Sequence, residues 1–204
     1  MINGTVGPVV TYQLNGQNVI RSKAKVSTLP PSLAQSTCRE QLKLLTLFFK
    51  KNKGFLKIGF GHLALGTKYN YHNLAMRFNK PLAVIGEYPE MMLDYEKVVL
   101  SKGNLEGPLN PALQRLETGL KFTWDCPSNP DFNFENDQVM MLAYSPELDK
   151  SIFIDAGAKR KKEEDFLQLP SYMQKKQLEV YIAFVANDRH QAADSMYLGS
   201  ISPD

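Results

Sequence analysis

The first residues whose type and spacing could do chemistry are the glycines of GFGHLALG, at 59, 61 and 66, because a glycine-rich turn can cradle a phosphate. A dinucleotide fingerprint needs G-x-G-x-x-G between a strand and a helix, and here the third glycine falls two positions late. No acid stands about twenty residues further on; position 86 is Gly and the next acid is Glu87. The stretch therefore reads as a flexible turn between helices. His62, His72 and His190 show no metal-ligand spacing, and C-x-x-C, H-x-x-x-H and H-E-x-x-H are absent. There is no G-x-S-x-G elbow. Cys38 falls on an apolar helical stripe that wants a small hydrophobe, and Cys126 has no partner base in view. Glu163-Glu164-Asp165 follow Lys159-Arg160-Lys161-Lys162, which reads as a solvated charged turn and not as two carboxylates held in different environments. The expectation is no catalytic residue, no metal, no cofactor and no enzymatic activity.

What remains is charge. Residues 1–80 carry twelve Lys/Arg and one acid, Glu40, a net +11. Residues 81–204 carry twelve Lys/Arg and twenty acids, a net −8. Such asymmetry points to a polyanion partner, to two halves that meet face to face, or to two differently charged solvated surfaces. No run approaches the roughly 20 apolar residues of a membrane span. The N-terminus lacks the basic region and long apolar core of a signal peptide, so a cytoplasmic protein, or one incorporated in an assembly after cytoplasmic synthesis, is expected. Cys38 and Cys126 lie far apart in elements of different type, and reduced thiols are the simpler reading.

The elements that must position these charges follow from period and turn chemistry. VVTYQLNGQNVIRSKAK alternates on either side of Asn15-Gly16, a type I′ turn signal, and predicts a hairpin over 8–14 and 17–24. A lone hairpin is marginal in water, so it must pack on something. Pro30-Pro31 break the chain, Ser32 is a plausible N-cap, and Cys38, Leu42, Leu45 and Phe49 predict a helix over 33–53. Arg39, Lys43, Lys50 and Lys53 fall on another face of that helix, a basic rail beside the apolar stripe. Together with Arg21, Lys23 and Lys25 of the outgoing strand they form the candidate interaction surface. A second helix is expected over 70–85, ended or kinked by Pro81, and a domain boundary near Gly86. Beyond it, strands are expected in MLDYEKVVLSKG, GLKFTWD, QVMMLAYS, KSIFIDAG, DFLQLP, LEVYIAFVAND and DSMYLGSI, with GNLEGPLNPA as a loop. Leu120, Phe122 and Trp124 share one strand face; Leu178, Val180, Ile182 and Phe184 share another. About seven short strands with turn signals predict an antiparallel fibronectin III/immunoglobulin-like β-sandwich. The fold class is then α+β: a basic hairpin-plus-helix region, 1–85, followed by a sandwich domain, 86–204.

GPVVTYQLNGQNVIRSKAK, LKIGFG, GEYPEMMLDYEKVVLSKGNLEGPLNP, GLKFTWD and YIAFVANDRHQAADSMYLGSI, in that order, resemble a family of about 200 residues common in Bacteroidota and known only as a domain of unknown function. The resemblance covers nearly the whole chain and implies no activity. Against a family pattern of Thr-x-x-Gln followed by Arg, this chain keeps Gln35 and Arg39 and has Ser32 in the Thr position. The basic arm ahead of a Gln/Arg helix is also similar to small phage structural proteins, a fold-level analogy.

These features lead to an expected structural or adaptor protein that acts through protein–protein contacts, as a subunit of a larger assembly such as a virion or surface apparatus. The alternative is nucleic-acid (polyanion) binding through the basic half, with Tyr12, Tyr69 and Tyr71 as stacking residues. The apolar stripe of the helix is better explained by packing than by an anionic membrane.

Overall fold

The structure is a computed structural model that describes residues 3–14, 16–25 and 28–203. The chain divides into two compact units, Met1–Ser36 and Thr37–Asp204. The boundary expected near Gly86 lies inside the second of them.

In the first unit, β1 (Gly4–Val6), β2 (Val9–Leu14) and β3 (Gln17–Ser22) form an antiparallel sheet in that order. The expected hairpin is β2–β3. Leu14 pairs with Gln17, which leaves two residues for the turn. Asn15 lies outside the described residues; Gly16 has φ +79°, the left-handed backbone that a type I′ turn requires. β1 is a third strand, too short to show a period in the sequence. No described residue of this unit is fully buried. After Pro30-Pro31, the Gln35 amide donates to Ser32 Oγ (3.3 Å) and the Ser32 amide donates to Gln35 Oε1 (3.1 Å). This reciprocal cap satisfies two backbone donors at the start of α1 (Leu33–Lys51).

In the second unit α1 runs to Lys51 and breaks at buried Asn52, whose Nδ2 donates to the Phe48 carbonyl (2.9 Å). The chain resumes as α2 (Lys53–Ala64) and α3 (Tyr71–Asn79). Three helices stand where two were expected, because the stretch read as a glycine-bounded hinge is α2. Close packing explains two of its glycines. A Cβ at Gly54 would lie 2.5 Å from the Phe153 ring, and one at Gly59 would lie 2.5 Å from the Leu100 carbonyl. Tertiary packing by Phe55, Leu56 and Phe60 outweighs the poor helix propensity of glycine. Asn70 caps α3 by accepting from the Asn73 amide (2.9 Å), and the helix ends before Pro81.

A short hairpin, β4 (Val84–Ile85) and β5 (Met92–Leu93), brackets the GEYPEM turn and its cis Tyr88–Pro89 bond. β5 and a 3-10 turn at Tyr95–Lys97 replace the longer strand expected in MLDYEKVVLSKG. Then follow β6 (Leu109–Leu116), β7 (Gly119–Asp125), α4 (Phe132–Asn136), β8 (Gln138–Ser145) and β9 (Lys150–Ile154). After a 3-10 turn at Arg160–Lys162 come β10 (Glu164–Gln168), β11 (Leu178–Val185) and β12 (Met196–Ile201). β6 corrects the loop expected in GNLEGPLNPA. Pro111 argues against a strand, but the register shifts between Leu109 and Ala112, so Pro111 sits at an irregularity on an edge strand.

Two antiparallel sheets result, ordered β10-β7-β6 and β12-β11-β8-β9. One core lies between them: Leu120, Phe122 and Trp124 meet Val139, Met141, Val180, Ile182 and Phe184. The opposite face of β8 and β11, with Met140, Leu142, Tyr181 and Ala183, joins a second core with Leu45, Phe48, Phe55, Leu56 and Phe60 of α1 and α2. The fold is a mixed α+β arrangement in which the four-stranded sheet is covered on both sides.

Neighbouring residues of β7 separate the two faces. Phe122→Ala is expected to cost about 3–5 kcal/mol by urea denaturation. Lys121, which faces out and pairs with Glu164 at 2.6 Å, should cost under about 1 kcal/mol when replaced by Ala, because the pair is exposed. Equal losses would contradict this assignment of faces.

Candidate functional site

The seven bases named from the sequence divide between the units. Arg21, Lys23 and Lys25 belong to the first, which has no acid. Arg21 is on β3 with its guanidinium 5.7 Å from the Tyr12 ring centre, and the Lys23 amide donates to the Pro8 carbonyl (2.7 Å), extending the pairing past the strand. Arg39, Lys43, Lys50 and Lys53 belong to the second unit and are all exposed. At 100° per residue from buried Leu45, Arg39, Lys43 and Lys50 fall within about 40° of one another on the outer face of α1. Lys53 follows the Asn52 break and belongs to α2, so it is not part of that row. Lys43 pairs with Glu40 (3.1 Å), a neutralisation within the helix. Leu42 and Leu47, 38% and 49% exposed, flank that row on opposite sides, at about 60° and 200° from Leu45 on the same count. The stripe read from the sequence is thus rotated: Leu45, Phe48 and Phe49 are buried, whereas Leu42 is not. Cys38 is half-buried at the edge of the buried side, where its Sγ accepts from Lys80 Nζ (3.2 Å). Cys38 and Cys126 are both free thiols.

Two of the three histidines come together. A cleft of about 730 Å³ runs along α2 and is lined by Ile58, Gly61, His62, Tyr69, Tyr71 and His190, among others. His190 follows Arg189, which has φ +63°, a left-handed conformation that costs a non-glycine residue of order 1–2 kcal/mol. Side-chain bonds hold it there: Nη1 donates to the Asp155 carbonyl (2.5 Å) and Nη2 to Gln138 Oε1 (2.9 Å). Asp188 Oδ1 accepts from the His190 amide (2.9 Å), closing the loop on itself. Burial pulls the pKa of His62 below its ordinary 6.5, partly offset by the Ile58 carbonyl, so the ring is neutral near pH 7. His72 is elsewhere, edge-on to the Phe49 ring at 5.8 Å. Among the described residues, no group of three or more His, Cys, Asp or Glu is placed to hold a metal ion. No helix of the described residues is long and apolar enough to cross a membrane.

The run KRKKEED is not a wholly solvated loop. Arg160 is fully buried. Its Nη1 donates to the Gly107 carbonyl (2.8 Å), and its Nη2 donates to the Glu106 carbonyl (2.7 Å) and to Asp137 Oδ2 (3.2 Å). The guanidinium lies 3.7 Å from the Phe184 ring centre and 4.2 Å from that of Phe134. Trp124 Nε1 donates to the Arg160 carbonyl (2.7 Å). Burial lowers the pKa of Arg160 and raises that of Asp137, and each charge partly reverses the shift of the other. Nothing in the composition of KRKKEED tells which of its four bases turns inward.

The chain belongs to the family of unknown function DUF6266. The family model matches residues 1–199, so both compact units fall within it. A search of the curated proteins finds no match.

Arg160→Ala strands Asp137 without its cation and is expected to cost about 3–5 kcal/mol. Adding Asp137→Asn should recover part of that loss, which a double-mutant cycle in urea measures. His62 contributes a pH dependence of its own. Its folded pKa lies below 6.5, so between the two values the unfolded chain binds a proton that the folded chain refuses. Its share of stability is complete above about pH 6.5 and falls as the pH drops toward the lowered value. His62→Gln should flatten the slope of stability just below pH 6.5; an unchanged slope contradicts the assignment.

Proposed function

We propose that this is a non-enzymatic structural or adaptor protein that acts through protein–protein contacts, a subunit of a larger assembly. The observation that carries this reading is the exposed side of α1, where Leu42 and Leu47 flank the row of Arg39, Lys43 and Lys50. A phosphate backbone rewards the bases and has no use for the leucines. An acidic protein surface with apolar side chains beside its acids uses both, through charge pairing along the row and apolar burial on either side of it. The chain carries such chemistry itself: residues 81–204 have a net −8, so the partner this reading favours is a second copy bound head to tail. The first unit fits the same role. Its sheet ends at an open β3 edge, and none of its described side chains is fully buried, as in a small sheet that a partner completes.

In this reading the second unit is the scaffold, a fibronectin III-like sandwich. In support, the first, second and fifth of its seven sandwich strands make one sheet, and the third, fourth, sixth and seventh make the other. The sandwich type also suits an assembly component, since its rigid sheets leave loops and edges for contact.

Nucleic-acid binding is the second reading. It draws on Arg21 beside Tyr12 in a unit that holds three bases and no acid. One set of variants separates the two. Light scattering of the full chain is expected to give a species larger than the monomer, reduced by Leu42→Ser with Leu47→Ser and by Arg39→Glu with Lys50→Glu. A strict monomer at all concentrations, with DNA or RNA binding that weakens steeply with salt and is lost in Arg39→Ala, Lys43→Ala, Lys50→Ala, would replace the first reading with the second.

A further inference from the structure

We infer that the cleft along α2 is a binding site for an uncharged, planar heteroaromatic molecule of about the size of an indole or a purine. The inference is independent of the assembly role of α1. Its first ground is Gly61. Gly54 and Gly59 of the same helix are held to glycine by the Phe153 ring and by the chain at Leu100-Ser101, but a Cβ at Gly61 would meet nothing within 4 Å. Glycine inside a helix costs about 0.5–1 kcal/mol relative to alanine, and here no packing contact repays it. What the missing side chain leaves is open floor in the cleft.

The walls define what fits that floor. Tyr69, Tyr71, His62 and His190 put four aromatic side chains in the lining, the class of group on which flat aromatic partners stack. The volume, about 730 Å³, is within the range of small-molecule sites. Charge in the lining balances: two bases, Lys57 and Arg189, and two acids, Asp155 and Asp188. An ion would find no uncompensated counter-charge, while a neutral ring with a hydrogen-bonding edge would find the Asn70 amide and the Asp188 carboxylate. The rim is set in advance, since the bonds of Arg189 hold the left-handed turn that carries Asp188 and His190. A pre-formed rim lowers the entropic cost of binding.

The chain has three histidines, so the ring Cε1–H signals of the full-length protein can be followed individually by NMR. Titration with indole and with adenine is expected to shift the His62 and His190 signals saturably and to leave that of His72 in place. Gly61→Leu puts a side chain on the open floor and should weaken the response at least about tenfold, while melting no lower than the parent because the site is unfilled. Tyr69→Ala, a substitution in an exposed loop, should weaken the same response and serves if Gly61→Leu does not fold. Benzoate is the charged comparison and should bind more weakly than indole. The inference is overturned by any of four results: no saturable shift for either ring, equal shifts of all three histidines, an undiminished response in a folded Gly61→Leu protein, or tighter binding of benzoate than of indole.

Discussion

β8 and β11 are buried on both faces, and most of the second unit is a consequence of that constraint. From Val139 to Ser145 and from Leu178 to Val185 every side chain is inside. Polar groups on these strands have no water to turn to, so each needs an internal partner or carries a desolvation cost. Glu179 shows the solution. Its Oε2 accepts from the Tyr197 hydroxyl (2.5 Å) and its Oε1 from Ser200 Oγ (3.1 Å). The Tyr181 hydroxyl donates to the Tyr95 carbonyl (2.7 Å), and that of Tyr144 to Asp149 Oδ1 (3.1 Å). Burial, reinforced by neighbouring acids, pushes these tyrosines well above the ordinary phenol range, so they remain donors. The helices are needed to make this face an interior, and the close approach of α2 at Gly59 brings them in.

The loops around the sandwich are held by a second device, arginine clamped on backbone carbonyls. Arg160 ties Glu106 and Gly107 to the 3-10 turn and to Asp137. Arg115 donates to the carbonyls of Ile201, Gln174 and Lys176. Arg189 ties Asp155 to the start of β8. The guanidinium has five donors in a fixed plane and loses little freedom per bond, which suits it to several carbonyls at once. This division of labour bears on partner recognition. Arg160 keeps its charge inside the fold and Arg115 and Arg189 are half-buried, whereas Arg39, Lys43, Lys50 and Lys53 are exposed.

The same physics explains which parts were legible in the sequence. β7 was readable because its alternation is complete, with Leu120, Phe122 and Trp124 in and Asp125 out. In LEVYIAFV the shared face of Leu178, Val180, Ile182 and Phe184 is legible too, but alternation alone does not tell that the other face is also buried. The signal for that was present: apart from Glu179 the alternate positions are Tyr181, Ala183 and Val185, and a run without its polar half belongs to a strand covered on both sides. α2 was hidden because glycine serves turns and close packing alike, and only the neighbours Phe153 and Leu100 tell them apart. β6 was hidden by Pro111, whose cost depends on whether the strand is an edge and where its register slips. Of the candidate surface, the row Arg39, Lys43 and Lys50 followed from helical spacing, while the exclusion of Lys53 depended on a break at Asn52. Arg160 had no local signal, since its burial is set by Phe184, Phe134 and Asp137, all distant in sequence or in element.

The three glycines of α2 then separate structural need from something left over. Gly59 lets the helix meet the segment at 100–102, where the Lys102 amide donates to the Gly59 carbonyl (3.2 Å) and Ser101 Oγ donates to the Ala193 carbonyl (2.7 Å). That segment is fixed from its other end by Asn79, which both donates to and accepts from the Val99 backbone at 2.7 Å. Gly54 admits the Phe153 ring and so sets the distance between α2 and β9. With those two positions the placement of α2 against the sheet is accounted for. Gly61 adds nothing to it, and the Cβ of an alanine there would stabilise the helix without touching a neighbour. A fold governed by packing alone has no use for glycine at that position, whereas a cleft whose floor must stay open has one.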